Sequence, residues 1–228
     1  MCIKKAELFS NDLIKAVIQT IFEPIRTKKI NNINIAMNQL QQESENLVNT
    51  QIESVNVDCK LYCTFCCHNQ VSLTAPEVML ISDYIKNNFT KDEILSLKKR
   101  VDSLDKDVKG MNAFQRKKAK KACALLIDNK CSVYPVRPLA CKGWNSMSVK
   151  DCEDAFNSGE EKNIQAFAPP LVITNSVSIG ISNSLKNNGM NSDNLELNSA
   201  LKIVLEKYNV SEKYLEGKNI FREAKHIK

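Results

Sequence analysis

The segment Cys59-Lys-Leu-Tyr-Cys63-Thr-Phe-Cys66-Cys67 carries four cysteines within nine residues and is the most informative stretch of the chain. Several thiolates at short spacing are typical of zinc or iron–sulfur sites, because soft sulfur atoms must converge on one tetrahedral metal. The segment therefore predicts a metal centre in the middle of the chain. A second, looser set of candidate ligands comprises Cys123, Cys131, Cys141 and Cys152.

Cys66 and Cys67 are adjacent, which limits how the cysteine ligands can be divided between metal ions. Neighbouring side chains point in different directions, so both thiolates are not expected to bind one ion. Either two centres exist, or one of the two cysteines lies outside the ligand set. The alternative for a scattered cysteine such as Cys123 is a small buried hydrophobic side chain. The ninth cysteine, Cys2, stands alone and is expected to be unpaired.

Length and composition exclude several classes of protein. A chain of 228 residues with 43% hydrophobic and 25% charged residues is long enough to form one core without disulfide support. Its six glycines are never closer than nine positions, which excludes a dinucleotide-binding turn and a Walker A loop. Two histidines are too few for the common zinc hydrolase sites.

The N-terminus shows no apolar signal region, and no apolar stretch is long enough to span a membrane. We therefore expect a cytoplasmic protein that does not associate with membranes. Thiols stay reduced in that compartment, so clustered cysteines favour metal binding or redox chemistry over disulfides.

The pattern of apolar residues predicts a mainly α fold: an irregular helical domain with a short β-hairpin around a cysteine-rich centre. A first helix is expected to be interrupted at Pro24, and a second, from about residue 27 to 55, carries a narrow apolar stripe. That stripe either packs on its own domain or forms a dimerising coil. The expected divisions are an N-terminal helical extension packed on the core (1–56), the metal-binding domain with C-terminal helices (57–215) and a frayed tail (216–228).

Local signals mark individual elements. Thr74-Ala-Pro-Glu77 and Thr90-Lys-Asp-Glu93 are capping boxes, each predicting a helix start. The turn Asp128-Asn-Lys130 lies between short apolar arms and predicts the hairpin. A helix is expected near Thr174, and Ser192 or Asp193 is expected to cap a last helix that ends at about Tyr208.

The sequence resembles the YkgJ-type cysteine-cluster proteins, the CxxCxxCC family described as zinc- or iron-chelating domains. The resemblance covers residues 59 to 152, and its first gap of three residues departs from the two in the family's name. It implies that the eight cysteines bind zinc or iron, and a [4Fe–4S] cluster is one form that the iron could take. The features that carry it are Cys59-x3-Cys63-x2-Cys66-Cys67, Leu73-Thr74, Glu77, Cys123, Cys131-Ser-Val-Tyr134, Arg137-Pro138 and Cys141.

The same family includes the flagellin lysine-N-methylases. The resemblance therefore leaves open whether the chain is an enzyme, and the alternative to a metal-binding protein is an iron–sulfur-dependent methyltransferase or redox enzyme. Cys59-x3-Cys63-x2-Cys66 is also similar to the three-cysteine loop of radical S-adenosylmethionine enzymes. The helical pattern after Cys67 argues against the strand-rich barrel that those enzymes require.

Three residues near the cysteines are candidates for secondary roles. Arg137 can donate hydrogen bonds to thiolates or to a cofactor, and its alternative is a surface salt bridge. Trp144, the only tryptophan, is either a core residue or part of a cofactor platform. His68 follows the cysteines directly, and we expect it to be exposed rather than to bind metal.

The only dense charge run is Arg116-Lys-Lys-Ala-Lys-Lys121. No aromatic residues alternate with these cations to stack bases, and the pI of about 8.8 is modest, so a solvated helix face is favoured over nucleic-acid binding. The expected partners are a metal ion and, through the long helix or the basic run, another protein or a second copy of this chain.

Overall fold

Two long helices form the N-terminal part of the computed structural model, which describes residues 3–60, 62–160 and 164–225; Cys2 lies outside these ranges. Helix α1 spans Ile3–Arg26 and α2 spans Ile30–Ile52. The first helix was expected to be interrupted at Pro24, but it continues to Arg26. The chain then turns at Lys28, which has a left-handed φ of 53°.

The apolar stripe of α2 is buried within this chain. Its residues Ile33, Met37 and Leu40 are at most 3% exposed, and the helix packs on α1, on α3 (Ala75–Asn88) and on α8 (Ala168–Asn187). The packing of α1 on α8 is tight because Gly180 has no side chain there. A Cβ atom on Gly180 would lie 2.7 Å from Cβ of Val17. At these positions α2 therefore packs on helices of its own chain.

Both capping boxes begin helices. Thr74 and Glu77 cap α3, and Thr90 and Glu93 cap α4, which spans Lys91–Val108. The predicted hairpin is also present, with β2 (Leu126–Ile127) antiparallel to β3 (Lys130–Cys131). Its turn residues Asp128 and Asn129 both have positive φ, as a tight two-residue hairpin turn requires.

The remaining helices are short apart from α8. They are α5 (Ala113–Ala119), α6 (Leu139–Gly143), α7 (Val149–Ser158), α9 (Leu197–Glu206) and α10 (Val210–Leu215). Within the described ranges, no helix is long and apolar enough to cross a membrane.

The C-terminal region differs from the sequence prediction in two respects. The last long helix was expected to be capped by Ser192 or Asp193, but the chain first forms β4 (Leu195–Glu196), which pairs with β1 (Ser72–Leu73). Glu196 then caps α9 with its carboxylate on the Ser199 N–H. The residues after Gly217, expected to be frayed, pack on the core through Phe221 and Ala224. Residues 226–228 of the predicted tail lie outside the described ranges.

Candidate metal centre

The cysteine-rich loop follows α2 and is attached to the chain around Ser146. The backbone N–H of Ser146 donates to the sulfur of Cys59 over 3.1 Å, and its carbonyl accepts from the N–H of Asp58 over 3.0 Å. A 3₁₀ turn, Phe65–His68, then carries Cys66 and Cys67. The loop therefore meets the segment that precedes α7.

The later cysteines reach this loop from several elements. The backbone N–H of Cys123 donates to the carbonyl of Cys67 over 2.8 Å. Cys131 lies in β3, Cys141 in α6 and Cys152 in α7. Helix α7 packs on the 3₁₀ turn through Phe156, whose ring centroid is 5.7 Å from that of Phe65 and 4.7 Å from that of His68.

Backbone N–H groups point at several of the sulfur atoms. Such bonds stabilise the thiolate form that metals require and oppose the effect of burial on the thiol pKa. Burial raises the pKa of Cys63 and of Cys131, and in each case the backbone donor lowers it in part. In three cases the donor lies two residues after the cysteine: Phe65 for Cys63, Leu125 for Cys123 and Val133 for Cys131.

Electrostatic interactions sort the eight thiols into two groups. Ionised thiols at short range disfavour one another, so each pairwise interaction reports proximity. We define the first thiol group as Cys59, Cys63, Cys66 and Cys152, because Cys59 interacts with the other three and Cys63 with Cys66 and Cys152. The second thiol group is Cys67, Cys123, Cys131 and Cys141. Cys67 interacts with Cys123 and with Cys141. Cys131 also interacts with Cys123 and with Cys141.

These groups do not follow sequence order. Compared with the two sets seen in the sequence, Cys67 and Cys152 have changed places. The two groups meet where the side chains of Cys66 and Cys67 share a hydrogen bond, which lowers the pKa of Cys66 and raises that of Cys67. Cys66 also interacts with Cys141. The adjacent cysteines therefore fall into different groups but remain in contact with each other.

The second thiol group is the more strongly affected by burial. Burial raises the pKa of Cys123 to about 11 and that of Cys141 well above its usual range. Arg116 acts in the opposite direction on Cys123, and Arg137 on Cys131 and Cys141. Two guanidinium groups therefore lie near the second thiol group.

The donor chemistry fits a thiophilic metal, since each group offers four sulfur atoms and several of these accept backbone hydrogen bonds. Within the described ranges, however, no three cysteine, histidine, aspartate or glutamate side chains are already arranged as a metal site. Binding would therefore require the sulfur atoms of a group to move closer together.

His68 makes contacts that explain its position without a metal. Its Nδ1 lies 3.1 Å from the carbonyl oxygen of Thr64, and its ring packs on Phe156. The residue is half-buried rather than exposed.

Arg137 forms a salt bridge, with its Nη2 atom 3.1 Å from Glu45 Oε1 in α2. Its guanidinium also lies 3.8 Å from the centroid of the Tyr134 ring and donates to the Tyr134 carbonyl. Trp144 is half-buried at the C-terminal end of α6. A cofactor role for Arg137 or Trp144 stays a prediction.

Two buried polar contacts near the cysteines had no signal in the sequence. Lys142 follows Cys141, and its side chain is 1% exposed with Nζ 2.9 Å from Glu45 Oε2. Glu77 is fully buried and accepts from the backbone N–H of Leu139 over 2.9 Å, in addition to its capping bonds with Thr74. A capping box predicts the bonds to Thr74, but no local pattern predicts the bond to Leu139.

The basic run is largely engaged in local contacts. Lys118 lies over the Phe114 ring, Lys120 donates to the Asn157 carbonyl, and Lys121 pairs with Asp107. Arg116 departs from the expected solvated face, because it is only 3% exposed.

One family model matches this chain. It is named CxxCxxCC, is described as a "putative zinc- or iron-chelating domain", and covers residues 58–167. No curated protein and no solved structure gives a significant match. The matched range contains both thiol groups, together with Arg116, Arg137 and Lys142. Residues 58–167 of this chain therefore match the model of the CxxCxxCC family, which the cysteine spacing also resembles.

Proposed function

We propose that this protein binds two metal centres, of zinc or iron, one in each thiol group. The observation that carries the proposal is that cysteines from distant parts of the chain meet around the cysteine loop, where the Cys123 N–H donates to the Cys67 carbonyl and α7, which carries Cys152, packs on the 3₁₀ turn. Their electrostatic interactions are consistent with two sets of four. Four thiolates are the ligand set of structural zinc sites and of iron–sulfur clusters. The family description supports the same two metals.

The physical reason to expect a metal is the cost of this arrangement without one. The raised pKa values keep these buried thiols protonated when no metal is bound, so they hold no charges that attract one another. A cation among the sulfur atoms would favour the thiolate form and attract it, and the binding energy would contribute to folding. The backbone N–H donors would then stabilise the bound thiolates and orient them.

The experiment is the metal and acid-labile sulfide content of protein purified without oxygen, together with its absorption spectrum. We expect two metal equivalents per chain if the metal is zinc. A coloured protein with matching iron and sulfide would assign iron–sulfur clusters instead. Purified protein with no stoichiometric metal, and no uptake of zinc or iron on reconstitution, would contradict the proposal.

A more specific proposal is that the protein is an iron–sulfur-dependent methyltransferase or redox enzyme. The resemblance to flagellin lysine-N-methylases suggests it. It requires a cluster with an open iron position and affinity for S-adenosylmethionine. Calorimetric binding of S-adenosylmethionine by the coloured protein, lost when the cluster is removed, would support it. A colourless protein with two zinc ions would instead favour a structural metal domain that acts through a partner.

A further inference from the structure

The basic run contains one cation that points into the protein. Arg116 lies in α5 and is 3% exposed, whereas Lys118 and Lys120 of the same run are exposed. Its Nη1 atom is buried and has no hydrogen-bond partner. A buried charged group with an unsatisfied donor is costly, and such groups are normally paired.

The surroundings of Arg116 identify what could balance its charge. Arg116 and Cys123 line the same small cavity of about 10 Å³, and Glu196 lines it as well. The Glu196 carboxylate attracts Arg116, as does ionised Cys123, and its Oε2 also caps α9 by accepting from the Ser199 N–H over 2.7 Å. Asn198 also lines this cavity with an unpaired Oδ1 atom, but a neutral amide supplies no negative charge.

The second guanidinium near this thiol group is in a different position. Arg137 is already paired with Glu45 and stacked on Tyr134. Its position is therefore explained by contacts outside the thiol group, with the Glu45 carboxylate shared between Arg137 and Lys142. Arg116 has no such salt bridge, so its charge remains to be balanced by a group in its own cavity.

We propose that Arg116 is the counter-cation of a metal bound by the second thiol group, with its guanidinium balancing the thiolate of Cys123. The proposal rests on the function proposed above and adds a positioning residue to it. Four thiolates around a divalent ion carry a net charge of roughly −2, whereas protonated thiols carry none. Metal loading would therefore add negative charge beside Arg116, beyond the single charge of Glu196.

The test isolates the second thiol group in a Cys152→Ser background, where one metal ion is expected to remain. In that background, Arg116→Met should increase the rate of metal loss to a chelator by about 10- to 100-fold, the range typical for partners of metal ligands. Arg116→Lys, which keeps the charge, should recover part of the retention. Lys118→Met removes a charge from the exposed side of the same helix and should have no effect.

The outcomes separate this inference from the proposed function. Absence of metal in the wild-type protein would contradict the proposed function itself. Normal retention in Arg116→Met, or equal loss in the Met and Lys variants, would overturn the role of Arg116 while leaving two metal centres. Inorganic phosphate that stabilises the metal-loaded wild type but not Arg116→Met would also overturn it, by showing that the guanidinium takes its anion from solution.

Discussion

The backbone N–H of Cys123 donates to the carbonyl oxygen of Cys67 over 2.8 Å. This bond joins the loop that follows α2 to the segment that precedes the hairpin, and it brings together two cysteines of the second thiol group. A backbone bond therefore holds Cys67 and Cys123 near each other independently of their thiols.

Removal of metal is expected to loosen this junction selectively. Chelation should lower the midpoint of thermal unfolding, because binding energy at such sites contributes to folding. Hydrogen exchange should accelerate at the amides of Cys123 and Ser146, whose acceptors lie in the cysteine loop. The amide of Ile181, in the middle of α8, serves as the control and should exchange at an unchanged rate. Equal protection of all three amides before and after chelation would contradict this expectation.

Double cysteine variants should reveal which thiols act together. Cys66→Ser with Cys152→Ser alters one thiol group and should remove one metal equivalent. Cys66→Ser with Cys67→Ser alters both groups and should remove two. If the ligand sets followed sequence order, the first double variant would lose two metal equivalents and the second would lose one. Metal content after gel filtration with a competing chelator distinguishes these two ligand assignments. Cys2→Ser should retain both equivalents.

The two capping boxes offer a matched test of burial. Glu77 and Glu93 occupy the same position relative to Thr74 and Thr90, but Glu77 is fully buried and also accepts from the Leu139 N–H. Glu77→Ala leaves buried donors without acceptors and should lower the free energy of unfolding by about 3 kcal/mol or more. Glu93→Ala removes an exposed cap and should cost about 1 kcal/mol. Urea unfolding measures both, and equal losses would show that the Leu139 bond contributes nothing.

Acid should weaken the attachment of α2 to the cysteine region. Burial raises the pKa of Glu45, but its hydrogen bonds and charge interactions with Lys142 and Arg137 outweigh this effect, so the net pKa lies below the usual 4.5. The ionised form is thus favoured by folding. Its stabilisation is fully present above pH 4.5 and is lost as the pH falls through the lowered pKa.

Glu45→Gln tests this relationship directly. At pH 7 it should lower the free energy of unfolding by about 2 kcal/mol, because Lys142 is left buried without its carboxylate. The difference from wild type should shrink as urea unfolding is repeated at successively lower pH. Glu43→Gln on the exposed side of α2 is the control and should differ little from wild type at any pH. A deficit for Glu45→Gln that is independent of pH would contradict the assignment.

The sequence alone determined the features that depend on local chemistry. The capping boxes at Thr74 and Thr90, the hairpin turn at Asp128 and the apolar stripe of α2 each depend on residues within one or two turns of the chain. The eight cysteines could likewise be identified as candidate ligands, because thiol chemistry belongs to the residue type.

Only the tertiary structure decided how those residues combine. The exchange of Cys67 and Cys152 between the thiol groups depends on the packing of α7 on the 3₁₀ turn through Phe156. The burial of Arg116, the bond from Leu139 to Glu77 and the pairing of Glu45 with Lys142 likewise join segments distant in sequence. Such contacts arise when several helices pack around one core, so no local spacing encodes them.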